Sequence, residues 1–117
     1  MISAYQSALS ALQAFGTKIQ SNSNNIANAN TNGFKKTRVT MAEVLPQGVK
    51  AEVDKVTTPG DSVFQETTKG LDQVELSNVD LGSEIPDMSL NSQFYKANLK
   101  TIETANEMTG TLLNLKS

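Results

Sequence analysis

The chain opens on a stripe that recurs in steps of three and four: Ile2, Tyr5, Leu9, Leu12, Gly16, Ile19, Ser23 and Ile26. That spacing returns to one side of an α-helix, and held over more than three heptads it is the a/d pattern of a coiled coil. Ala8 and Phe15 lie beside the stripe and widen it. No charged side chain appears before Lys18. Five turns therefore carry no face built for water, and such a helix is expected to touch neighbours on several sides. The stripe then enters Ser21 to Gly33, "SNSNNIANANTNG", which holds six Asn. Each Asn is roughly half a kcal/mol poorer than Ala in a helix, so together they disfavour a free helix by about 3 kcal/mol. Yet Ile26 falls on the seam begun at Ile2. The expectation is a helix that runs into this stretch and stops near Asn32-Gly33. It is flexible in the free chain and ordered by neighbours, its amides bonding to adjacent chains.

From Phe34 to about Asn78 the helical period is lost. "GVKAEV" alternates through Val49, Ala51 and Val53 and predicts a strand. "TTPGDS" predicts a turn, and "SVFQET" a second strand that pairs with the first as a hairpin. An isolated hairpin is marginal in water, so this insert is expected to lean on the helices or on a partner.

Helical spacing returns after Ser83, the predicted N-cap, with Glu84, Ile85 and Pro86 in the first turn. Ile85, Met88, Ser92, Tyr95, Leu99, Ile102, Asn106, Thr109 and Leu113 form one stripe; Leu90, Phe94, Ala97, Ala105, Met108, Leu112 and Leu115 form another. Two stripes imply two packing surfaces, where a simple pair of helices needs one. The predicted fold is mainly α, with two long terminal helices forming an antiparallel coiled coil and a short β-hairpin-like or extended insert between them. Its segments are 1–33, 34–82 and 83–117 within one structural domain. The predicted assembly interface comprises Tyr5, Leu9, Leu12, Ile19, Ile26, Ile85, Met88, Tyr95, Leu99, Ile102 and Leu113.

Composition sharpens this picture. The chain has 117 residues, enough for one small domain, with 38% apolar and 5% aromatic residues. Both fractions are low for a self-sufficient core. Ten basic and twelve acidic residues give a net charge of -2, without the clustered basic face that nucleic acid requires. There is no Cys and no His, so thiolate chemistry and the commonest general base are excluded. No catalytic constellation, phosphate loop or metal motif is present, and neither a catalytic residue nor a cofactor is expected. Asp80, Glu84 and Asp87 have near-helical spacing, but charges at the positive end of a helix dipole explain them better than a cation site. Lys35, Lys36 and Arg38 read as a solvated face or as charge partners for a neighbouring subunit. The N-terminus lacks a basic n-region and is not a secretory signal. No run approaches a membrane span, so no direct membrane insertion is expected.

Two stretches together resemble the bacterial flagellar rod and hook proteins. "SALSALQAFGTKIQSNSNNIANANTNGFKK" is similar to that family's N-terminal signature, an Ala/Leu-rich helix followed by Asn-Ile-Ala-Asn-x-Asn-Thr-x-Gly-aromatic-Lys. The matching positions are Asn25, Ile26, Ala27, Asn28, Asn30, Thr31, Gly33, Phe34 and Lys35. "SNVDLGSEI" and "FYKANLKTIETANEM" resemble its closing helix, with Tyr95, Ala97 and Asn98 in the Tyr-x-Ala-Asn core. The resemblance covers about two-thirds of the chain, in the right order. It implies a structural subunit of the basal-body rod, exported unfolded through the flagellar type III channel without a cleaved signal. It also implies assembly with itself, with other rod and axial proteins, and with basal-body ring or export-gate components, to transmit torque around the export channel. The short insert points to the small proximal-rod members. Pro86 and the Glu84-Ile85 pair depart from the family's pattern. The alternative is a soluble adaptor or export-associated binding module built on rod-like helices.

Overall fold

The computed structural model describes residues 2–116. Met1 and Ser117, the outermost residues of the two expected helical segments, lie outside the described residues. Helix α1 spans Ile2–Ala27; four strands follow, β1 (Thr37–Glu43), β2 (Val49–Lys55), β3 (Ser62–Thr67) and β4 (Gly70–Glu75); helix α2 spans Leu81–Lys116. The helices run antiparallel. Near one end Asn22 meets Glu84 and Asp87. At mid-length the rings of Phe15 and Phe94 lie 5.3 Å apart at 32°. At the other end Ile2 and Tyr5 line a groove with Asn106 and Thr109. α2 runs on past the start of α1.

The expected coiled coil with one hairpin is corrected on two counts. First, the insert holds two separate two-stranded antiparallel sheets, β1-β2 and β3-β4. "SVFQET" pairs with "GLDQVE" across the two-residue turn at Thr68 and Lys69, not with "GVKAEV". "GVKAEV" pairs back onto "TRVTMAE", with Val39 opposite Val53 and Met41 opposite Ala51. Closing the shorter loop is entropically cheaper, so each strand takes its sequence neighbour. "TTPGDS" becomes the link between the sheets.

Second, the helix pair is not built on a heptad seam. The most buried residues of α1 are Ala8, Ala14, Asn22 and Asn25, of which only Ala8 borders the predicted stripe, while Ile2, Tyr5 and Leu9 on that stripe are exposed. The cause is that α1 packs against α2 and also against β1 and β2. A helix with two neighbours buries an arc turned away from the seam that one partner would select. Gly48 and Val49 approach Ser10 on the sheet side, where the Val49 N–H donates to Ser10 Oγ at 3.2 Å.

β3 and β4 pack on no other helix or strand and form an arm. Its base is tied to the body by Gly33 N–H donating to Glu75 O at 2.8 Å, and the Leu76 N–H donates to Asp61 O at 2.7 Å across the foot of the arm. Asn78 knots the same region: its Nδ2 donates to Val56 O and Thr58 O, and its Oδ1 accepts from Lys36 N–H. A Cβ on Gly60 would lie 2.7 Å from Ser77 O and closer still to Leu76 O. These are backbone atoms that cannot rotate away, so Gly60→Ala is expected to lower stability by about 2 kcal/mol, measured by urea unfolding. An unchanged midpoint would show that the base tolerates the shift.

The molecule measures 80 × 24 × 20 Å, with a radius of gyration of 20.7 Å. A compact chain of this length has about 13 Å. No helix among the described residues is long and apolar enough to cross a membrane.

Candidate functional site

Three side chains reach the lowest exposures of any polar residue described, and all are amides: Asn25 at 1%, Asn91 at 2% and Asn22 at 4%. They join the last turns of α1 to the first turns of α2 and to β1. Asn25 Nδ2 donates to Thr37 O at 2.9 Å and to Glu84 Oε1 at 3.1 Å, while its Oδ1 accepts from the Thr37 N–H at 3.0 Å. Asn22 Nδ2 donates to Glu84 Oε2 at 2.7 Å and to Asp87 Oδ2 at 3.1 Å. Asn91 Nδ2 donates to Asn22 Oδ1 at 2.8 Å and to Asp87 Oδ2 at 3.2 Å. Ser21 Oγ adds a bond with Thr37 Oγ1 at 2.6 Å. No buried side-chain polar atom among the described residues lacks a partner. The network is therefore closed, the condition under which buried polar groups stabilise rather than weaken.

α2 starts earlier than the predicted N-cap at Ser83. Asp80 caps it, its Oδ1 accepting from Gly82 N–H at 3.1 Å and its carbonyl from Glu84 N–H at 2.9 Å. Pro86 thus stands inside the helix rather than in its first turn. It has no N–H for the carbonyl of Gly82, so the start of α2 is short of one bond. Glu84 and Asp87, read from sequence as dipole charges, serve as acceptors for α1 amides instead. A cleft of about 350 Å³ borders them, with Lys18, Lys36 and Arg38 among its lining. No cluster of metal-ligating side chains occurs among the described residues.

Lys35 is in a close ion pair with Glu75. That ammonium first, and the Gly60 N–H second, hold the Glu75 carboxyl below its ordinary 4.5. A depressed carboxylate contributes stability above the unfolded value, lost as pH falls through the folded one. Glu75→Gln is therefore expected to be less stable than the parent at pH 6. The difference should shrink as pH falls below 4.5 and vanish once the Glu75 carboxyl is protonated in the folded chain as well, read from urea midpoints along a pH series. A gap that persists at low pH would assign the effect to packing.

Of the predicted interface, Leu12, Ile19, Ile26, Met88, Tyr95 and Ile102 are half-buried, whereas Tyr5, Leu9, Ile85, Leu99 and Leu113 are exposed. Tyr95 lies against Gly16. Among the motif residues, Asn25 is buried and Ile26 half-buried, and α1 ends just after it, at Ala27. Asn28 Nδ2 donates to Asn24 O at 2.9 Å and Asn28 Oδ1 accepts from Thr31 Oγ1 at 3.0 Å. Such bonds to the local backbone compete with helix and turn the chain toward Gly33, whose φ is +73°. Asn30 is exposed, Phe34 and Lys35 are half-buried, Ala97 is exposed, and Asn98 Nδ2 bonds back to Phe94 O.

None of the large apolar side chains among the described residues is fully buried. The buried apolar residues among those described are alanines only: Ala8, Ala14 and Ala105. The second stripe of α2 is open except at Ala105, with Leu90 at 48%, Phe94 at 44%, Met108 at 52%, Leu112 at 55% and Leu115 at 79% exposure. Beside it, Ala4, Ala97, Ala105 and Met108 line an apolar groove. Total accessible area is 8031 Å², against roughly 6,200 Å² for a compact monomer of this mass.

Two family comparisons match separate parts of the chain. The model described as flagella basal body rod protein matches residues 6–35. The model described as flagellar basal body rod FlgEFG protein C-terminal matches residues 73–115. Among the curated proteins none matches. The first match takes in most of α1 and the turn to Gly33; the second takes in the end of β4 and nearly all of α2.

Proposed function

This chain belongs to the flagellar basal body rod family and is a structural component of the flagellar basal body; from that premise we propose that it is a self-assembling subunit of the proximal rod. Copies and other rod or axial proteins pack on its exposed helix faces, and the resulting tube transmits torque and encloses the export path. The subunit reaches the rod through the flagellar type III export channel.

One observation carries this reading: no Leu, Ile, Val, Phe or Met side chain among the described residues is buried. A lone chain gains little from such a core, while contiguous apolar surface of this extent marks a surface made for partners. The short insert adds only an arm and a small sheet, leaving no outer domain to serve a second purpose. The predicted interface residues, from Tyr5 and Leu9 on α1 to Leu99 and Leu113 on α2, are proposed to contact neighbouring subunits.

The experiment is deletion of residues 1–33 in the flagellated source cell. The truncated protein is expected to be made while rods and swimming are lost. Normal swimming would sink the reading. Purified full-length chain is expected to form larger assemblies as concentration rises; one discrete small complex at every concentration would favour an adaptor.

A further inference from the structure

The helix pair has few features that select one alignment. Its fully buried apolar residues are alanines, too small to select one offset, and the Phe15–Phe94 ring contact is the main apolar one that a slip would break. A slip of one heptad along α2 brings Asn98 to the place of Asn91, so Asn22 keeps an amide partner. What such a slip loses is specific. Phe94 and Asn91 would take the places of Asp87 and Glu84, and the amide donors of Asn22 and Asn25 would meet no carboxylate.

The start of α2 is also where a slip would be absorbed. Pro86 leaves one bond unmade there. The segment from Leu81 to Asp87 could unwind into the linker that follows β4. Within this segment, Glu84 and Asp87 are the side chains gripped by α1. Asn91 continues the grip one turn on, and Asn25 ties it to β1 through Thr37.

We propose that Glu84 and Asp87, held by Asn22, Asn25 and Asn91, are the positioning residues that set the register of α1 against α2 and keep the proline-weakened start of α2 helical. A single buried polar contact is known to fix helix alignment in this way, at some expense of stability. The consequence is geometric. A one-heptad slip moves the exposed stripe of α2 by about 10 Å relative to the β1-β2 sheet and the arm. Only a single register presents the same stripe and the same arm on every copy.

The register is read on the single chain, so the outcome is independent of whether rods assemble. The chain has no Cys, and spin labels at Gln20→Cys and Glu107→Cys, both exposed, span the pair at a long axial offset. In the otherwise unaltered chain one distance is expected. In Glu84→Ala/Asp87→Ala a second population is expected, shorter by about 8–10 Å. Adding Asn98→Leu, which removes the amide that the slipped register would use, is expected to reduce that population. A single unchanged distance in a variant with the parent's helical signal overturns the proposal. Should the double variant lose its helical signal, Glu84→Ala alone is read in the same way. There a second distance supports the assignment and an unchanged single distance overturns it.

Discussion

Asn25→Ala is expected to lower the unfolding free energy by about 2 kcal/mol, because it strands several part-buried groups at once. The lost side chain accepts from the Thr37 N–H and donates to Thr37 O and Glu84 Oε1. Alanine replaces none of these bonds. The Thr37 N–H and one oxygen of Glu84 stay near the junction of α1, α2 and β1 without the Asn25 amide, and the Thr37 carbonyl keeps only Ser21 Oγ at 3.3 Å. A small domain has only a few kcal/mol to lose, so much of the chain's helical signal should go at moderate temperature. Asn28→Ala, which removes exposed local bonds only, is expected to change stability by less than about 0.5 kcal/mol. Urea unfolding of the two variants side by side checks this. Equal effects would mean that burial of the Asn25 amide contributes nothing.

The second large effect falls on association. Met108→Asp/Leu112→Asp puts two carboxylates on the open stripe of α2, where the parent side chains are about half exposed. In the isolated chain these positions face water, and stability should stay within about 0.5 kcal/mol of the parent. In an assembly that covers the stripe, two unpaired charges must be desolvated. Association should weaken by at least about 100-fold, equivalent to about 2.7 kcal/mol. Sedimentation of both proteins over a concentration series measures it. Unchanged association would place the contact surface elsewhere, on the Tyr5 and Leu9 side of α1 or on the arm.

Periodicity made both helices legible, because long apolar repeats at three- and four-residue spacing survive any tertiary detail. It also made the excess of apolar stripes legible, and with it the open surface on α2. The β insert was legible only in part. Alternation marked "GVKAEV" and "SVFQET", but alternation does not name a partner strand. The strands "TRVTMAE" and "GLDQVE" hid behind charged and polar residues, and both turned out to be the local partners.

The amide junction was the least legible feature. Asn22 and Asn25 stood out as an Asn-rich run that counts against a helix, and Glu84 and Asp87 as ordinary charges near a helix start. Separations of about sixty residues lie between the groups that bond. Pro86 read as a first-turn residue, and only the observed start at Leu81 shows that its missing donor weakens the start of α2.

By itself the sequence determined that this protein has two long helices, neither Cys nor His, and more apolar stripe than one chain can cover. Those are properties of residue type and spacing along the chain. Only the tertiary structure decided which arc of α1 is buried, which strands pair, and that the buried polar centre is an amide–carboxylate junction. Those depend on what faces each side chain. A helix that must serve both a partner helix and a sheet buries its small and amide residues most deeply and leaves its larger apolar ones half-buried or exposed.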